Sequence, residues 1–129
     1  ARGAGAIEAL GFNCTAPENI LDCLKAIGAE DGLRAKMRAE GVGLACYANC
    51  NDRAAAHGSK TRGEWSEKDV EITLREDLKA GDGVGTYTSF VEQFIAHGAT
   101  HVGGCCGCGP GHISALATAG EKCVPCGPP

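Results

Sequence analysis

Three short apolar segments constrain the fold of this chain most strongly, because each runs at once into cysteine or polar residues. They span residues 5–14, 42–47 and 99–106. Amphipathic helical patterns follow or separate them, and parallel strands need such crossovers to return to the same edge of a sheet. The sequence therefore predicts an α/β fold with parallel strands and helices outside them.

The helices are predicted from apolar stripes with recognisable ends. Thr15-Ala-Pro-Glu18 favours a capping box at the start of a first helix, and Gly28 favours its end. A second helix is predicted from Thr86 to His97, closed by Gly98, and a third begins near Ile113. No regular element is predicted for residues 29–40, and the charged segment 50–85 fits a strand and a short helix equally.

Composition excludes several classes of protein. The 129 residues carry a net charge of −4, which does not suit a polyanion, so we expect no nucleic-acid partner. No apolar run approaches the roughly 20 residues that span a bilayer, and no secretory signal is recognisable. We therefore expect a cytoplasmic protein with no membrane partner.

The cysteines point to metal or to reduced thiols. There are nine, an odd number, and the adjacent Cys105 and Cys106 are poorly placed to bridge each other. Cys14 ends the first predicted strand, and carboxyl ends of parallel strands share one edge, so these three thiols can converge on one ion. Zinc suits three thiolates with a fourth position left for substrate. Gly103 and Gly104 are predicted to let the backbone turn so that both neighbouring thiols face inward.

Other interpretations of the cysteines remain open from the residues alone. The three thiols also fit inert buried side chains, since free cysteine packs as a small hydrophobe. Cys123-x-x-Cys126 fits a structural zinc site with two further ligands, or exposed thiols in a flexible tail over 121–129. A redox module there is disfavoured, because the motif does not open a helix. Cys23 is expected to pack on its helix, and no specific role follows for the others: Cys46, Cys50 and Cys108.

Three motifs resemble one known family. They are Gly-Phe-Asn-Cys14, Tyr47-Ala-Asn49 and Gly-Ala-Thr-His-Val-Gly-Gly-Cys-Cys-Gly-Cys-Gly-Pro-Gly-His-Ile113. In this order, over most of residues 5–118, they are similar to the homocysteine S-methyltransferase family. Its fold is a (β/α)8 TIM barrel, in which these motifs correspond to strands six to eight. Because such a barrel takes about 250 residues, the resemblance implies that residues 1–120 are the C-terminal portion of a barrel domain.

The resemblance also implies an activity and a site. Cys14, Cys105 and Cys106 would be zinc ligands, with the homocysteine sulfur at the open position. The reaction would move a methyl group from betaine, S-methylmethionine or a methyl-cobalamin or folate donor to homocysteine, giving methionine. The implied partners are homocysteine and that donor, together with an oligomer or the missing N-terminal half of the barrel to cover the open sheet edge. The alternative is a non-catalytic zinc or thiol-binding fragment, inactive without the missing strands.

Three polar residues are candidates for substrate contact or for support of the ligands. Asn13 and Asn49 stand at strand ends, where asparagine orients ligands or simply forms turns. His112 opens the last predicted helix and matches a family position, either as a capping or supporting residue or as a substrate contact. Ala48 stands where the family commonly has proline. Gly107 after the cysteine pair resembles the betaine-dependent and cobalamin-dependent branches.

Overall fold

A parallel three-stranded sheet forms the centre of the molecule. The computed structural model describes residues 6–52 and 74–122. Within them the strands are β1 (Ala9–Asn13), β2 (Gly43–Ala48) and β3 (His101–Gly104), in the order β1-β2-β3. Both pairs are parallel, and the register places Asn13 beside Tyr47 and Ala48 beside Gly104. The predicted parallel pairing of three strands is therefore confirmed.

Four helices accompany the sheet in the described residues. They are α1 (Pro17–Ala29), α2 (Leu33–Ala39), α3 (Val84–Ala96) and α4 (Pro110–Lys122). Helices α1, α3 and α4 agree with the predicted ones. Helix α2 was not predicted, because it has no apolar stripe and none of its residues is fully buried.

The ends of α1 differ from the prediction. Its N-cap is Ala16 and receives no side-chain hydrogen bond, because the Thr15 hydroxyl accepts from Asn19 Nδ2 at 2.9 Å and Glu18 is bound by Arg75. Gly28 lies inside the helix, which ends at Ala29. The end of α3 follows the prediction, since Gly98 after the C-cap has a φ of +98°.

The core lies between the sheet and the helices. Strand β2 is central, and four of its six residues are buried, as its position between two parallel neighbours requires. Most buried side chains of this core come from α1, β2, α3 and α4, and they include Ile20, Leu24, Leu44, Cys46, Tyr87, Val91, Phe94 and Leu116. These packed side chains support the strands whose carboxyl ends form one edge of the sheet.

Two predictions fall on residues that the structure does not describe. The competing strand and helix patterns at 66–74 lie outside the described residues, except for Leu74, which forms an isolated antiparallel bridge with Asn51. The tail with Cys123 and Cys126 also lies outside them. None of the helices within residues 6–52 and 74–122 combines the length and the apolar character needed to cross a membrane.

Candidate metal centre

Three cysteine sulfurs meet at the carboxyl edge of the sheet. Cys14 follows β1, and Cys105 and Cys106 follow β3. The Cys14 and Cys106 Sγ atoms are 3.6 Å apart, those of Cys105 and Cys106 are 4.0 Å apart, and all three lie within 4.8 Å of one another. The structure thus brings together the three thiols that the sequence singled out, close enough to hold one metal ion.

The spacing of the sulfurs fits a tetrahedral ion. Zinc–sulfur bonds of about 2.3 Å at tetrahedral angles put neighbouring sulfurs about 3.8 Å apart. The distances of 3.6 and 4.0 Å lie on either side of that value. Cys106 is exposed whereas Cys14 and Cys105 are half-buried, so the cluster borders solvent. If these three thiols held an ion at such a surface, a fourth corner would be left for another molecule.

The end of β2 holds both ligand segments in place. The Cys14 amide donates to the Tyr47 carbonyl at 3.0 Å, and the Cys105 amide donates to the Ala48 carbonyl at 3.0 Å. Just beyond β2, the Cys50 amide donates to the Cys106 carbonyl at 2.8 Å. Main-chain hydrogen bonds therefore set the positions of the thiols before any ion binds.

Cys14 has a strained backbone. Its φ of +54° makes it the one non-glycine residue with a left-handed conformation in the described parts of the chain. A side chain in this conformation costs about 1 to 2 kcal/mol. Strain of this kind persists where surrounding contacts enforce it and is concentrated at functional sites.

Gly103 and Gly104 allow neighbouring side chains to pack closely against the backbone. This corrects the prediction that they form a tight turn before the cysteine pair. A Cβ on Gly103 would come within 2.7 Å of the Tyr47 ring, and one on Gly104 within 2.6 Å of Cys108 Cβ. Neither glycine has a positive φ, whereas Gly107 has φ +81°. The left-handed turn therefore comes after Cys105 and Cys106, not before them.

One known family covers the residues of this site and of the sheet that carries it. The model of the family described as Homocysteine S-methyltransferase matches residues 1–120. The chain belongs to the homocysteine S-methyltransferase family. A comparison with curated protein sequences gives no match. The family match spans every strand of the sheet and all three clustered thiols of this homocysteine S-methyltransferase family member.

Asn49 is buried beside the cluster, whereas Asn13 is not. The Asn49 side chain is 1% exposed, its Nδ2 lies 3.9 Å from Cys14 Sγ, and its Oδ1 accepts from the Asn51 amide at 3.3 Å. The second contact orients the amide so that its NH₂ group faces the Cys14 sulfur. Asn13 is exposed and forms no hydrogen bond through its side chain with another described residue.

His112 is buried and both of its ring nitrogens are engaged. Nδ1 accepts from the Gly109 amide at 3.0 Å, and Nε2 donates to the Leu78 carbonyl at 2.7 Å. Since Gly109 precedes α4, the imidazole satisfies a free amide at the helix start in the manner of a capping box. These contacts agree with the capping alternative among the roles predicted for His112.

Burial opposes ionisation of the Cys105 thiol. Desolvation and then a hydrogen bond with Cys14 raise the pKa of Cys105 to about 11. A bound divalent cation reverses this preference, since thiol ligands bind it as thiolates. Loading the cluster with metal would therefore release protons.

Sequence reasoning missed two groups next to the cluster. The Tyr87 hydroxyl lies 2.8 Å from the Ala48 carbonyl oxygen and 3.0 Å from that of Gly103. The Sγ atoms of Cys50 and Cys108 are 3.4 Å apart. A signal for the second pair was present, because Cys50 follows β2 and Cys108 follows β3 at the edge where the other thiols were expected.

Proposed function

We propose that this chain is the metal-bearing C-terminal part of a zinc-dependent homocysteine S-methyltransferase with a (β/α)8 barrel fold. The enzyme moves a methyl group to the homocysteine thiol and forms methionine. The observation that carries the proposal is the three-thiol cluster of Cys14, Cys105 and Cys106 in a member of this family. The parallel order β1-β2-β3 supports their assignment as strands six to eight of the barrel.

Cys14, Cys105 and Cys106 would hold the zinc, and the homocysteine sulfur would take the fourth corner. When bound, zinc lowers the pKa of a coordinated thiol, so that the substrate is a thiolate near neutral pH. The three cysteine thiolates contribute negative charge that keeps this substrate sulfur electron-rich and hence nucleophilic. The exposed side of Cys106 provides the approach for substrate.

Asn49 would act as a positioning residue for Cys14. Its buried amide has little freedom, because the Asn51 amide binds its oxygen at 3.3 Å. An NH₂ group held 3.9 Å from Cys14 Sγ would restrict the orientation of that sulfur. Asn13 is proposed to contact substrate, since it is exposed next to Cys14, and His112 to support the loop that carries Cys105 and Cys106.

The methyl group is then transferred by direct attack. The homocysteine sulfur forms a bond to the donor methyl carbon as the donor's own bond to that carbon breaks and its electron pair leaves with the donor. Holding the sulfur at one fixed corner supplies much of the rate through proximity and orientation. No side chain would need to remove a proton in this step, because a metal held by the three cysteines would already favour the substrate thiolate.

The test measures metal and product together. The natural polypeptide that carries this sequence is purified, its zinc is measured by plasma mass spectrometry, and methionine formation is followed with betaine, S-methylmethionine and methyltetrahydrofolate. We expect about one zinc per chain and methionine with one donor. Cys105→Ala is expected to lose both, because two thiols and a solvent molecule hold zinc poorly.

Cys23→Ser is the matched control, since Cys23 is an exposed thiol on α1 outside the cluster. It should keep zinc and activity. Retention of both in Cys105→Ala would refute the proposal. Stoichiometric zinc with no methyl transfer from any donor would favour the alternative of a non-catalytic zinc-binding fragment.

A further inference from the structure

A second pair of thiols, Cys50 and Cys108, lies next to the three-thiol cluster. Cys50 Sγ and Cys108 Sγ are 3.4 Å apart. Cys50 is 0% exposed and Cys108 is half-buried, so one member of the pair can meet a small solute. Neither belongs to the group of three thiols that can share a metal ion in the described residues.

The backbone fixes this contact from both sides. The Cys50 amide donates to the Cys106 carbonyl at 2.8 Å, and the Cys108 amide donates to the Cys105 carbonyl at 3.0 Å. Gly107, with φ +81°, brings the loop so close that a Cβ there would lie 3.0 Å from Cys50 Cβ. The pair is therefore held together by main chain that does not depend on either sulfur.

Within the part of the chain that the structure describes, no second metal site accounts for the pair. The only imidazole near it is His112, whose Nε2 lies 3.8 Å from Cys50 Sγ among the described residues. That nitrogen already donates to the Leu78 carbonyl, and Nδ1 accepts from the Gly109 amide. Neither nitrogen has a free lone pair for a cation. Two thiols with no third metal ligand among residues 6–52 and 74–122 are suited to bonding with each other.

We propose that Cys50 and Cys108 form a reversible disulfide when the protein meets a peroxide. The sulfurs, 3.4 Å apart as thiols, must approach to about 2.05 Å for the bond. The remaining gap is closed by side-chain rotation and a small shift of the loop after β3. This proposal uses neither zinc nor methyl transfer and stands apart from the proposed function.

The chemistry balances with one peroxide. The half-buried Cys108 sulfur takes one oxygen from hydrogen peroxide, the O–O bond breaks, and a water molecule leaves, giving a sulfenic acid. The Cys50 sulfur then attacks the Cys108 sulfur, the S–O bond breaks, and the departing hydroxide takes the Cys50 proton as a second water. Two thiols and one peroxide become one disulfide and two waters, and a reducing dithiol reverses the change.

The experiment maps the bond in the intact chain. Protein preloaded with zinc is treated with a small excess of hydrogen peroxide, its free thiols are alkylated, and it is digested with trypsin. We expect peptide 39–53, which carries Cys50, joined to peptide 80–122, which carries Cys108. Fragmentation of the joined peptide places the bond at these two sulfurs, and dithiothreitol separates the peptides.

Two variants make the test specific. Cys108→Ser should abolish the joined peptide. Cys46→Ser is the matched control, because Cys46 is buried and lies on the same peptide as Cys50, and it should keep the join. The proposal is overturned if the wild-type chain shows no join while Cys108 accumulates sulfinic acid, or if the join persists in Cys108→Ser. Fragmentation of the wild-type peptide decides the matter even if a variant fails to fold.

Discussion

The hydroxyl group of Tyr87 donates a hydrogen bond to the main-chain carbonyl of Ala48 at 2.8 Å. Its oxygen also lies 3.0 Å from the Gly103 carbonyl, so one phenol on α3 joins the ends of β2 and β3. The Ala48 carbonyl accepts the Cys105 amide as well. Burial raises the pKa of Tyr87, and the group therefore remains a neutral donor. A helix residue outside the cluster thus joins the end of β2 to the end of β3, and β3 leads into two of the clustered thiols.

Tyr87→Phe removes this donor while keeping the ring. We expect the free energy of unfolding to fall by about 1 kcal/mol, the usual net value of a buried hydrogen bond, and zinc to be held less tightly. Urea titration and a zinc competition assay measure the two effects. Tyr47→Phe is the control for stability, because the Tyr47 hydroxyl forms no hydrogen bond with another described residue. Equal stability of the two variants would contradict the assigned role.

Gly103→Ala tests the close approach between β3 and β2. The new Cβ would lie 2.7 Å from Tyr47 Cδ1 and Cε1, so the ring must move. Overpacking of this kind costs about 1 to 3 kcal/mol, which a urea titration resolves. Gly85→Ala is the control, since nothing lies within 4 Å of its Cβ in α3. It should raise the stability by up to about 1 kcal/mol, and a loss similar to that of Gly103→Ala would count against the packing argument.

Arg75 should make stability depend on pH below neutrality. Its guanidinium contacts Glu18 at 2.8 Å and Asp77 at 2.8 Å and lowers the pKa of both carboxyl groups from ordinary values of 4.5 and 3.8. Because the folded pKa values lie below the unfolded ones, the stabilisation is complete above about pH 5 and disappears as pH falls through the lowered values. For such partly exposed pairs it amounts to about 0.5 to 1 kcal/mol.

Arg75→Met should therefore be less stable than the wild type at pH 7 and equal to it near pH 2, as followed by urea midpoints. Lys79→Met is the control, because in the described residues Lys79 forms an ion pair only with Glu76, at the surface, with the charge of Asp82 further off. Its curve should overlay that of the wild type. A difference between Arg75→Met and the wild type that stays constant with pH would show that the ion pair is not its cause.

Zinc affinity should rise with pH. Since the pKa of Cys105 is raised to about 11, this thiol is protonated at neutral pH in the free protein and loses its proton to bind metal. Each released proton increases the affinity about tenfold per pH unit. Competition with a chromophoric chelator between pH 6 and 8 measures the slope, and Cys23→Ser should share it. A slope of zero would mean that binding releases no thiol proton, and this would contradict ligation by Cys105 as a thiolate.

The part of the site that depends on topology was predictable from sequence. Cys14 and Cys105 end strands whose apolar runs and helical crossovers indicate parallel pairing, and parallel strands deliver their carboxyl ends to one edge. The convergence of the thiols follows from that alone. Gly98 was equally predictable, because a left-handed residue ends α3 and glycine adopts it at no steric cost.

The parts that depend on tertiary partners were not predictable. Glu18 was expected to cap α1, yet a guanidinium 57 residues away binds it more strongly than a backbone amide does. The sequence pattern indicates only that Tyr87 is an apolar position of α3. Its hydroxyl contacts two carbonyl groups, and these come together only when β2 and β3 are side by side. Helix α2 has no apolar stripe in the sequence, because none of its residues is fully buried.

The separation of the clustered thiols along the chain couples metal supply to folding. Cys14 and Cys106 lie 92 residues apart, so an ion that joins them closes a loop over most of the polypeptide. Such a closure removes conformations from the unfolded chain, and an ion that binds only the folded form stabilises it by mass action. If the cluster binds zinc as proposed, the folded fraction of this protein would rise with the free zinc concentration. Zinc limitation would then lower the amount of folded protein as well as its activity.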